Sequence, residues 1–362
     1  MKRIYINGRF LTQPLSGMQR YAGEMVSAID KLMTESAVFP ADTQLEVLVP
    51  PVSYHDYGWK NIKVRQVGNL KGHPWEQINL AWAARDGILL NLTACGPLLH
   101  SNSVLALHDA AIFAHPEHFA PSYRLLHTFL RPRLARNAKR LVTISNFSKR
   151  ELAHYCQVPE SAFTIVGDSA EHITHEPSST EILARHGLTK GAYALTVGNQ
   201  SPNKNIALAI NAFEKAAPKG WLLAVVGSGA DKIFGNIATA DKEAVKRLGR
   251  VSDAELKALY ENAGLFLFPS RYEGFGVPPL EAMILGCPVL SSDASAMPEI
   301  LADAAAYFKS DDVEDFAQQL TQLLTNSELR AAYVAKGYQR ANSYSWQGGA
   351  KVMIDVLRPL LV

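Results

Sequence analysis

Short apolar runs alternate with longer amphipathic stretches along this chain, and the alternation begins again after its midpoint. In the first half, KRIYING (2–8) and SVLALHD (103–109) have the length and composition of buried strands. In the second half, YALTVG (193–198) and LFLFPS (265–270) repeat them, with helical periodicity over 205–217 between. Alternating strands and helices are typical of α/β units with mainly parallel sheets. Because 362 residues also exceed what one core usually holds, the pattern predicts two α/β domains.

The domain boundaries are predicted from the segment EHITHEPSSTE (171–181), which lacks a strong apolar period. We therefore expect a Rossmann-like domain over 1–170, a linker over 171–185 and a second Rossmann-like domain over 186–342. The last segment, 343–362, has a helical pattern after its Gly-Gly, and we expect this helix to pack back on the first domain. Two such domains facing each other across a cleft would bind ligands beyond the carboxyl ends of their strands.

Composition excludes several classes of protein. The formal net charge of +2 implies no strongly polyanionic partner, and no nucleic-acid-binding module is recognisable. The three cysteines are widely spaced and form neither a disulfide framework nor a CxxC pair. The first residues are too polar for a signal peptide, and no run reaches the roughly 18 apolar residues of a membrane span. We expect a cytoplasmic protein, and any association with the inner face of the plasma membrane would be peripheral.

The loop SRYEGFGVPPLEAM (270–283) places two carboxylates, Glu273 and Glu281, between a buried strand and a short helix. Gly274 and Gly276 let the backbone come close to a ligand, and the N–H groups of the loop and first helical turn favour anions. In that first turn, Glu281 would accept two hydroxyl hydrogen bonds, as from a ribose diol. Glu273, at the strand's end, would accept from the hydroxyls of a sugar ring. A tight Gly-Pro turn with a capping glutamate is the alternative.

The longer stretch FLFPSRYEGFGVPPLEAMILGCPVLSS resembles the signature of the family 4 retaining glycosyltransferases of the GT-B fold, in which seven residues separate two glutamates. The resemblance implies that Glu273 contacts donor-sugar hydroxyls and that Glu281 holds the nucleotide ribose. It also implies donor contacts by the loop amides of Gly274, Phe275, Gly276 and Val277. It is strong over most of the second domain and weak over the first.

The first loop of the second domain carries Lys204 where a helix begins. Its ammonium and the helix N-terminus can share one diphosphate, although the loop is not a Walker A motif. Asn199 and Asn203 stand where the resembling family usually has an arginine, so one expected positive charge is absent. Arg271 or Arg250 is our candidate for supplying it, and a solvated surface lysine is the alternative for Lys204.

In the same domain, LGRVSDAELKALYENA (248–263) also matches the family. Ser252 and Asp253 look like a helix N-cap with Glu255 following. The resemblance then implies that the backbone at Arg250–Val251 faces the nucleotide base.

On the first-domain side, Gly17 permits close backbone approach and Arg20 is the nearest cation, where the family has a Gly-rich loop close to donor phosphates and acceptor. An ordinary turn and surface arginine are the alternative. His108 and Asp109 end a strand and match the family's His-Asp element. The match implies that His108 bonds a donor-sugar hydroxyl and that Asp109 orients nearby groups, although a structural histidine is the alternative. Ser145 would line the cleft.

Residues 118–150 contain eight basic residues and no Asp or Glu. With the neighbouring aromatic and leucine residues they form a basic amphipathic patch over 122–150, which would attract anionic lipid surfaces or lipid-linked diphosphates. An ordinary exposed helix face is the alternative. His115 and His118 resemble metal ligands, but we identify no third ligand and predict no zinc site.

Together these features predict retaining glycosyl transfer from a nucleoside-diphosphate sugar, with no metal or other cofactor. We assign His108, Glu273 and Lys204 to catalysis; Lys204, helix N-termini and Arg20 would stabilise the departing diphosphate. The chain looks most like bacterial mannosyltransferases of O-antigen or exopolysaccharide synthesis, which implies GDP-mannose and a saccharide or polyprenyl-diphosphate-linked acceptor. UDP-glucose, UDP-N-acetylglucosamine and GDP-fucose are alternative donors. A nucleotide-sugar epimerase and a non-catalytic sugar-nucleotide binding module are alternative functions.

Overall fold

The computed structural model describes four stretches of the chain: residues 2–198, 201–216, 219–227 and 244–361. Contacts between Cα atoms divide the chain into two compact units. Unit 1 comprises Met1–Asp168 and Ser345–Val362, and unit 2 comprises Ser169–Tyr344. Each unit contains one parallel sheet with helices, so the predicted class, α/β with two Rossmann-like domains, is confirmed.

The sheet of unit 1 has the strand order β3-β2-β1-β4-β5-β6-β7, and all its strands are parallel. The strands are β1 (Lys2–Asn7), β2 (Thr43–Val49), β3 (Lys63–Gln66), β4 (Ile88–Asn91), β5 (Ser103–Ala106), β6 (Arg140–Thr143) and β7 (Phe163–Ile165). The strand order reverses at β1. The chain runs from β1 through β2 to β3 on one side, and then crosses to β4 on the other side of β1. Such a reversal opens a crevice at the carboxyl ends of the two central strands. Asn7 and Asn91 are the last residues of β1 and β4, so they lie at this crevice.

Helices flank this sheet. The longer ones are Gly17–Glu35, Pro121–Asn137, Asn146–Cys156 and Trp346–Leu357, and a short one spans Ala111–Ala114. A further helical stretch runs from Gly72 to Ala83, and its middle part, Trp75–Leu80, is a π-helix. Tyr21, Met25, Ile29 and Leu32 are buried on one face of the first helix, at the spacing of an amphipathic helix.

The last helix, Trp346–Leu357, begins before the Gly-Gly pair rather than after it, because Ser345 caps its start by accepting a hydrogen bond from the Gly348 N–H at 3.0 Å. The helix packs against Gly17–Glu35 within unit 1. A Cβ atom at Gly349 would lie 3.1 Å from the Gly167 carbonyl oxygen, so glycine permits this close approach.

The described part of unit 2 contains a parallel sheet of order β10-β9-β8-β11-β12-β13. The strands are β8 (Tyr193–Val197), β9 (Leu222–Val226), β10 (Val245–Gly249), β11 (Leu265–Phe268), β12 (Val289–Ser292) and β13 (Ala306–Phe308). Here the order reverses at β8, which pairs with β9 on one side and β11 on the other. The loops that follow β8 and β11 therefore emerge side by side.

The α-helices in the described part of unit 2 are His172–His175, Glu181–His186, Ile206–Ala216, Asp253–Asn262, Val277–Ile284, Met297–Leu301, Val313–Thr325 and Ser327–Asn342. The first two occupy much of 171–185, the segment proposed as the linker. One core lies between the sheet and the Ile206–Ala216 and Val313–Thr325 helices. Within it, the rings of Phe308 and Phe316 stack with centroids 3.8 Å apart.

None of the helices in the described stretches combines the length and the hydropathy that crossing a lipid bilayer requires.

Candidate active site

A lysine and a glutamate meet at the carboxyl edge of the unit 2 sheet. Lys204 lies in the loop after β8 and Glu273 in the loop after β11, and their Nζ and Oε1 atoms are 2.5 Å apart. Both side chains remain partly accessible, at 20% and 15%. The Glu273 N–H donates to the Ser295 hydroxyl oxygen at 2.9 Å, which ties the loop to the one that follows β12. The fold thus holds a cation and a carboxylate together where ligands of parallel α/β sheets bind.

Glu281 is held by two buried side chains. His172 Nε2 lies 2.9 Å from its Oε1, and the Tyr260 hydroxyl donates to its Oε2 at 3.0 Å. Burial, and then the Glu281 charge, raise the pKa of Tyr260 well above its ordinary value, so this hydroxyl stays protonated as a donor. The two partners fix the carboxylate while each of its oxygens keeps a further lone pair for a ligand hydroxyl.

The expected position of Glu281 in the first helical turn is wrong. The helix begins at Val277, so Glu281 is its fifth residue and lies in the second turn. Pro278 and Pro279 fit inside the first turn because no intrahelical partner is needed there, but they also remove two N–H groups. Of the first four helical residues, Val277 and Leu280 carry an N–H. The anion-binding capacity expected of this helix start is therefore smaller than the sequence suggested.

The backbone of the loop depends on Gly276, which caps the helix at φ 92°. A Cβ atom there would lie 2.5 Å from Met297 Cε. The Phe275 ring is buried and packs edge-on against Tyr344, with centroids 5.2 Å apart. Gly274 is buried beside it, so Phe275 serves packing while the Glu273 side chain remains partly accessible.

Arg271 and Arg250, the two candidates for the missing positive charge, lie in different surroundings. The Arg271 Nε atom lies 2.5 Å from Asp311 Oδ1, so its guanidinium already has a carboxylate partner. Arg250 is exposed and Val251 half-buried. The predicted N-cap is confirmed, because Ser252 and Glu255 form a capping box. Asn199 lies outside the described residues.

In unit 1, His108 follows β5 and is buried. Its Nε2–H donates to the Leu92 carbonyl at 2.8 Å, and the edge of its ring meets Tyr21 with centroids 4.6 Å apart. Burial lowers the pKa of His108, so the ring is neutral near pH 7. Because Nε2 carries the proton, Nδ1 is left as a hydrogen-bond acceptor.

The other first-domain candidates serve local structure as well. Asp109 Oδ1 accepts from the Ala111 N–H at 2.9 Å. Ser145 is buried and caps the Asn146–Cys156 helix by accepting from the Ser148 N–H at 3.0 Å. Gly17 is exposed as the first residue of its helix, and an added Cβ would meet nothing within 4 Å. Arg20 is half-buried on the same helix.

Sequence reasoning missed a polar network at the carboxyl ends of β1 and β4. Asn7 Nδ2 donates to Glu76 Oε1 at 3.0 Å and to Asn91 Oδ1 at 3.1 Å. Arg9 Nη1 lies 2.6 Å from Glu76 Oε2, and His73 Nδ1 lies 3.0 Å from the same oxygen. These partners hold the pKa of the buried Glu76 carboxyl below its usual value, although burial opposes the shift. The sequence feature that could have revealed this network is the asparagine that ends each of the two buried runs, KRIYIN and ILLN.

The expectation that no third ligand accompanies His115 and His118 is wrong. Glu117 Oε1 lies 3.4 Å from a ring nitrogen of each, and the two rings stack. Such a trio can coordinate a metal ion, although Glu117 itself is largely exposed. The absence of a metal from the reaction stays a prediction.

Residues 178–340 match the family model described as glycosyl transferases group 1. The chain is 28% identical to an Escherichia coli protein named O-antigen chain mannosyltransferase B, across 96% of this chain and 97% of that protein. Sucrose-phosphate synthase of Thermosynechococcus elongatus superposes with TM-score 0.75 at 14% identity, and Anabaena HepE in complex with UDP and glucose with TM-score 0.71 at 15% identity. Each of these two superpositions covers 99% of both chains.

The matched segment contains Lys204, Glu273 and Glu281. Since the solved structures share the fold along the whole chain, the GT-B architecture is confirmed. Over residues 178–340 this chain is therefore similar to the group 1 glycosyl transferases, and its fold is GT-B.

Proposed function

We propose that this chain is a retaining, metal-independent mannosyltransferase that uses GDP-mannose. Its acceptor would be a hydroxyl of a saccharide carried on a polyprenyl diphosphate, in the synthesis of a bacterial surface polysaccharide. The similarity to a protein named O-antigen chain mannosyltransferase B, which extends over nearly the whole of both chains, supports mannose and this class of acceptor.

The observation that carries the proposal is the pairing of Lys204 with Glu273, next to a helix that presents Glu281. A diphosphate needs a cation, whereas a sugar ring and a ribose need hydrogen-bond acceptors. Two loops from adjacent strands supply both kinds of group at one sheet edge. Glu273 neutralises Lys204 in this structure, and a bound diphosphate would share that ammonium.

In this mechanism the bond between the anomeric carbon and the phosphate oxygen breaks as charge develops on the departing diphosphate. Lys204 stabilises that charge electrostatically. The acceptor oxygen bonds the carbon on the same face, and its proton passes to the leaving phosphate. Glu273 accepts from donor-sugar hydroxyls, and the neutral His108 ring accepts from another at Nδ1. Glu281, fixed by Tyr260 and His172, holds the ribose.

Peripheral contact with an anionic membrane is proposed through the Pro121–Asn137 helix and the residues that follow it, within 122–150. Leu125 is 74% exposed and Phe129 51%, and the Arg133 guanidinium stacks over the Phe129 ring at 3.6 Å. Exposed apolar side chains flanked by arginines are suited to an anionic lipid interface.

The donor assignment is tested by thermal shift without metal, using GDP-mannose, GDP-fucose, UDP-glucose, UDP-N-acetylglucosamine, GDP and UDP. Stabilisation by GDP and GDP-mannose that Glu281→Ala abolishes is expected. Stabilisation by the uridine compounds instead would overturn the mannose assignment; this second candidate is favoured by the likeness to HepE, which was solved with UDP and glucose.

Donor turnover is then followed with and without a lipid-linked saccharide, in the presence of EDTA. Turnover that requires the acceptor and persists in EDTA is expected. An epimerase would convert the nucleotide sugar without an acceptor, and a binding module would not turn it over at all.

A further inference from the structure

Arg131 is a buried cation without a carboxylate. It lies on the Pro121–Asn137 helix and is only 5% exposed, contrary to the expectation that the basic residues of this region form one exposed patch. It forms no ion pair with any carboxylate of the described residues, and its Nε–H is buried without an acceptor. The Tyr123 hydroxyl, which hydrogen-bonds to the Arg131 side chain, is uncharged because burial raises the pKa of that tyrosine. A buried charge is normally paired, so an unpaired one indicates that a partner is supplied from elsewhere.

His127 stands one helical turn before Arg131 and has a second unused donor. Burial raises the pKa of the Cys95 thiol to about 12, so the thiol keeps its proton. The Cys95 Sγ atom lies 3.8 Å from His127 Nδ1, within hydrogen-bonding reach of a sulfur atom. Burial lowers the pKa of His127 to about 4, so the ring is neutral; with Nδ1 facing the thiol, we assign its one proton to Nε2. That Nε2 is buried without a partner, in a residue only 2% exposed.

The surroundings of these donors are positive. Arg9 and His73 lie close enough, with Arg131, for their charges to lower the pKa of His127 further. The one carboxylate of the polar network, Glu76, is already bound by Asn7, Arg9 and His73. Glu76 is therefore engaged elsewhere, and no carboxylate of the described residues forms an ion pair with Arg131.

The two residues also lie at the functional edge of unit 1. Asn7 and Asn91 of the same network end the strands at which the sheet order reverses, and ligands of parallel α/β sheets bind at that point. The charge of Arg131 reaches His108, whose pKa it lowers. The unsatisfied donors are thus close to the histidine assigned to the transferred sugar.

We propose that Arg131 and His127 form a subsite for a phosphate group of the acceptor. The Arg131 guanidinium and the His127 Nε2–H would donate to the phosphate oxygens, which provide the missing negative charge and acceptors. The subsite rests on the proposed function, because a polyprenyl-diphosphate-linked acceptor brings such a group. It is distinct from the diphosphate contact at Lys204, which belongs to the donor and to the other unit.

The test uses inorganic pyrophosphate as the probe and the melting temperature of the full chain as the readout. Sodium chloride at matched ionic strength is the reference.

All variants are made in a Lys204→Ala background, which removes the cation assigned to the donor phosphates. Arg131→Met removes the unpaired charge at similar volume, and His127→Phe removes the second donor while keeping a ring beside Tyr123. Arg136→Gln is the matched control, since it removes a positive charge from an exposed position of the same helix.

Pyrophosphate is expected to raise the melting temperature of the Lys204→Ala parent and of the Arg136→Gln control equally. The shift should be lost in Arg131→Met and at least halved in His127→Phe. Without pyrophosphate, Arg131→Met should melt no lower than its parent, because the uncompensated charge is gone. Should Arg131→Met fail to fold, the His127→Phe result decides.

A parent that does not respond to pyrophosphate would overturn the subsite, and so would an undiminished shift in Arg131→Met or His127→Phe. Stabilisation by GDP, measured with Lys204 intact, keeps the two proposals apart. If GDP stabilises both the unmodified chain and Arg131→Met, the donor assignment stands whatever pyrophosphate shows. If GDP stabilises neither, the proposed function fails independently.

Discussion

Lys204 and Glu273 are 69 positions apart in sequence, yet their side chains form an ion pair of 2.5 Å. The pair exists because β8 and β11 are neighbours in the sheet although β9 and β10 lie between them in sequence. Each residue stands in the loop directly after its strand. The reversal of strand order therefore creates the juxtaposition, and neither loop could supply both charges by itself.

Lys204→Met is expected to lower kcat about 100-fold, because removing one electrostatic donor to a developing oxyanion typically costs this much. Lys215→Met is the matched control, since Lys215 forms an exposed ion pair with Glu314 between the Ile206–Ala216 and Val313–Thr325 helices of the same unit. Initial rates of donor turnover at saturating GDP-mannose measure the effect. Equal rates for the two variants would remove Lys204 from the catalytic assignment.

Tyr260→Phe should weaken GDP binding about tenfold, which corresponds to about 1.4 kcal/mol. The change removes the hydroxyl that donates to Glu281 Oε2 and so frees the carboxylate assigned to the ribose. Tyr193→Phe is the control, because it removes a buried tyrosine hydrogen bond of 2.6 Å to the Leu259 carbonyl. Both should destabilise the fold by about 1 kcal/mol in urea titrations, but calorimetry should detect weaker GDP binding only for Tyr260→Phe. Unchanged GDP affinity in Tyr260→Phe would contradict the assignment of Glu281 to ribose binding.

Gly276→Ala should destabilise unit 2 by about 2–3 kcal/mol, because it combines a positive φ of 92° with a Cβ position 2.5 Å from Met297 Cε. Gly286→Ala is the comparison, since Gly286 follows the same helix at φ 78° and nothing lies within 4 Å of its added Cβ. It should cost about 1 kcal/mol from backbone strain alone. Urea unfolding midpoints for both variants measure the difference, and equal midpoints would show that the Met297 contact relaxes freely.

Stability should fall as the pH drops below about 6.5, the ordinary histidine pKa. Burial lowers the pKa values of His100, His108 and His127, so these groups take up protons in the unfolded chain before they do so in the folded one. Their contribution is complete above the unfolded pKa and is lost progressively down to the folded pKa, which is about 4 for His127.

Urea unfolding between pH 7.5 and 4.5 measures this loss, which should amount to roughly 2–4 kcal/mol. His127→Gln should flatten the profile, whereas His154→Gln, at an exposed position, should leave it as steep. A profile that is flat in the unmodified chain would contradict the buried neutral histidines.

Leu125→Ser combined with Phe129→Ser should reduce binding to phosphatidylglycerol vesicles about tenfold, because both side chains are exposed on a helix rich in arginine. The control is Tyr338→Ser, an exposed aromatic position of unit 2. Flotation with anionic and with pure phosphatidylcholine vesicles measures binding. Equal flotation of the double variant and the unmodified chain would exclude this helix as the contact.

The sequence predicted the two α/β units because buried strands and amphipathic helices have distinct periods. It missed β3, β7 and β13, which are short, and β4, whose ILLN run is too brief to tell from a helix segment. It also missed β10, whose VKRLG run carries two charges. Lys204 and Glu273 could be placed in strand-to-helix loops from the sequence because each follows a recognisable strand. The partners of Glu281 were not, because His172 and Tyr260 reach it from distant segments that carry no motif. Arg131 was misplaced because a helix with arginines on several faces has no clear apolar stripe.

The chain passes between the two units twice, since Trp346–Leu357 returns to pack on the first helix of unit 1. During synthesis, residues 2–168 leave the ribosome well before the helix that completes them, whereas unit 2 is contiguous and can close its core as soon as it emerges. The unit that begins first is therefore finished last. Removing residues 345–361 would therefore damage the fold of unit 1 and leave unit 2 complete.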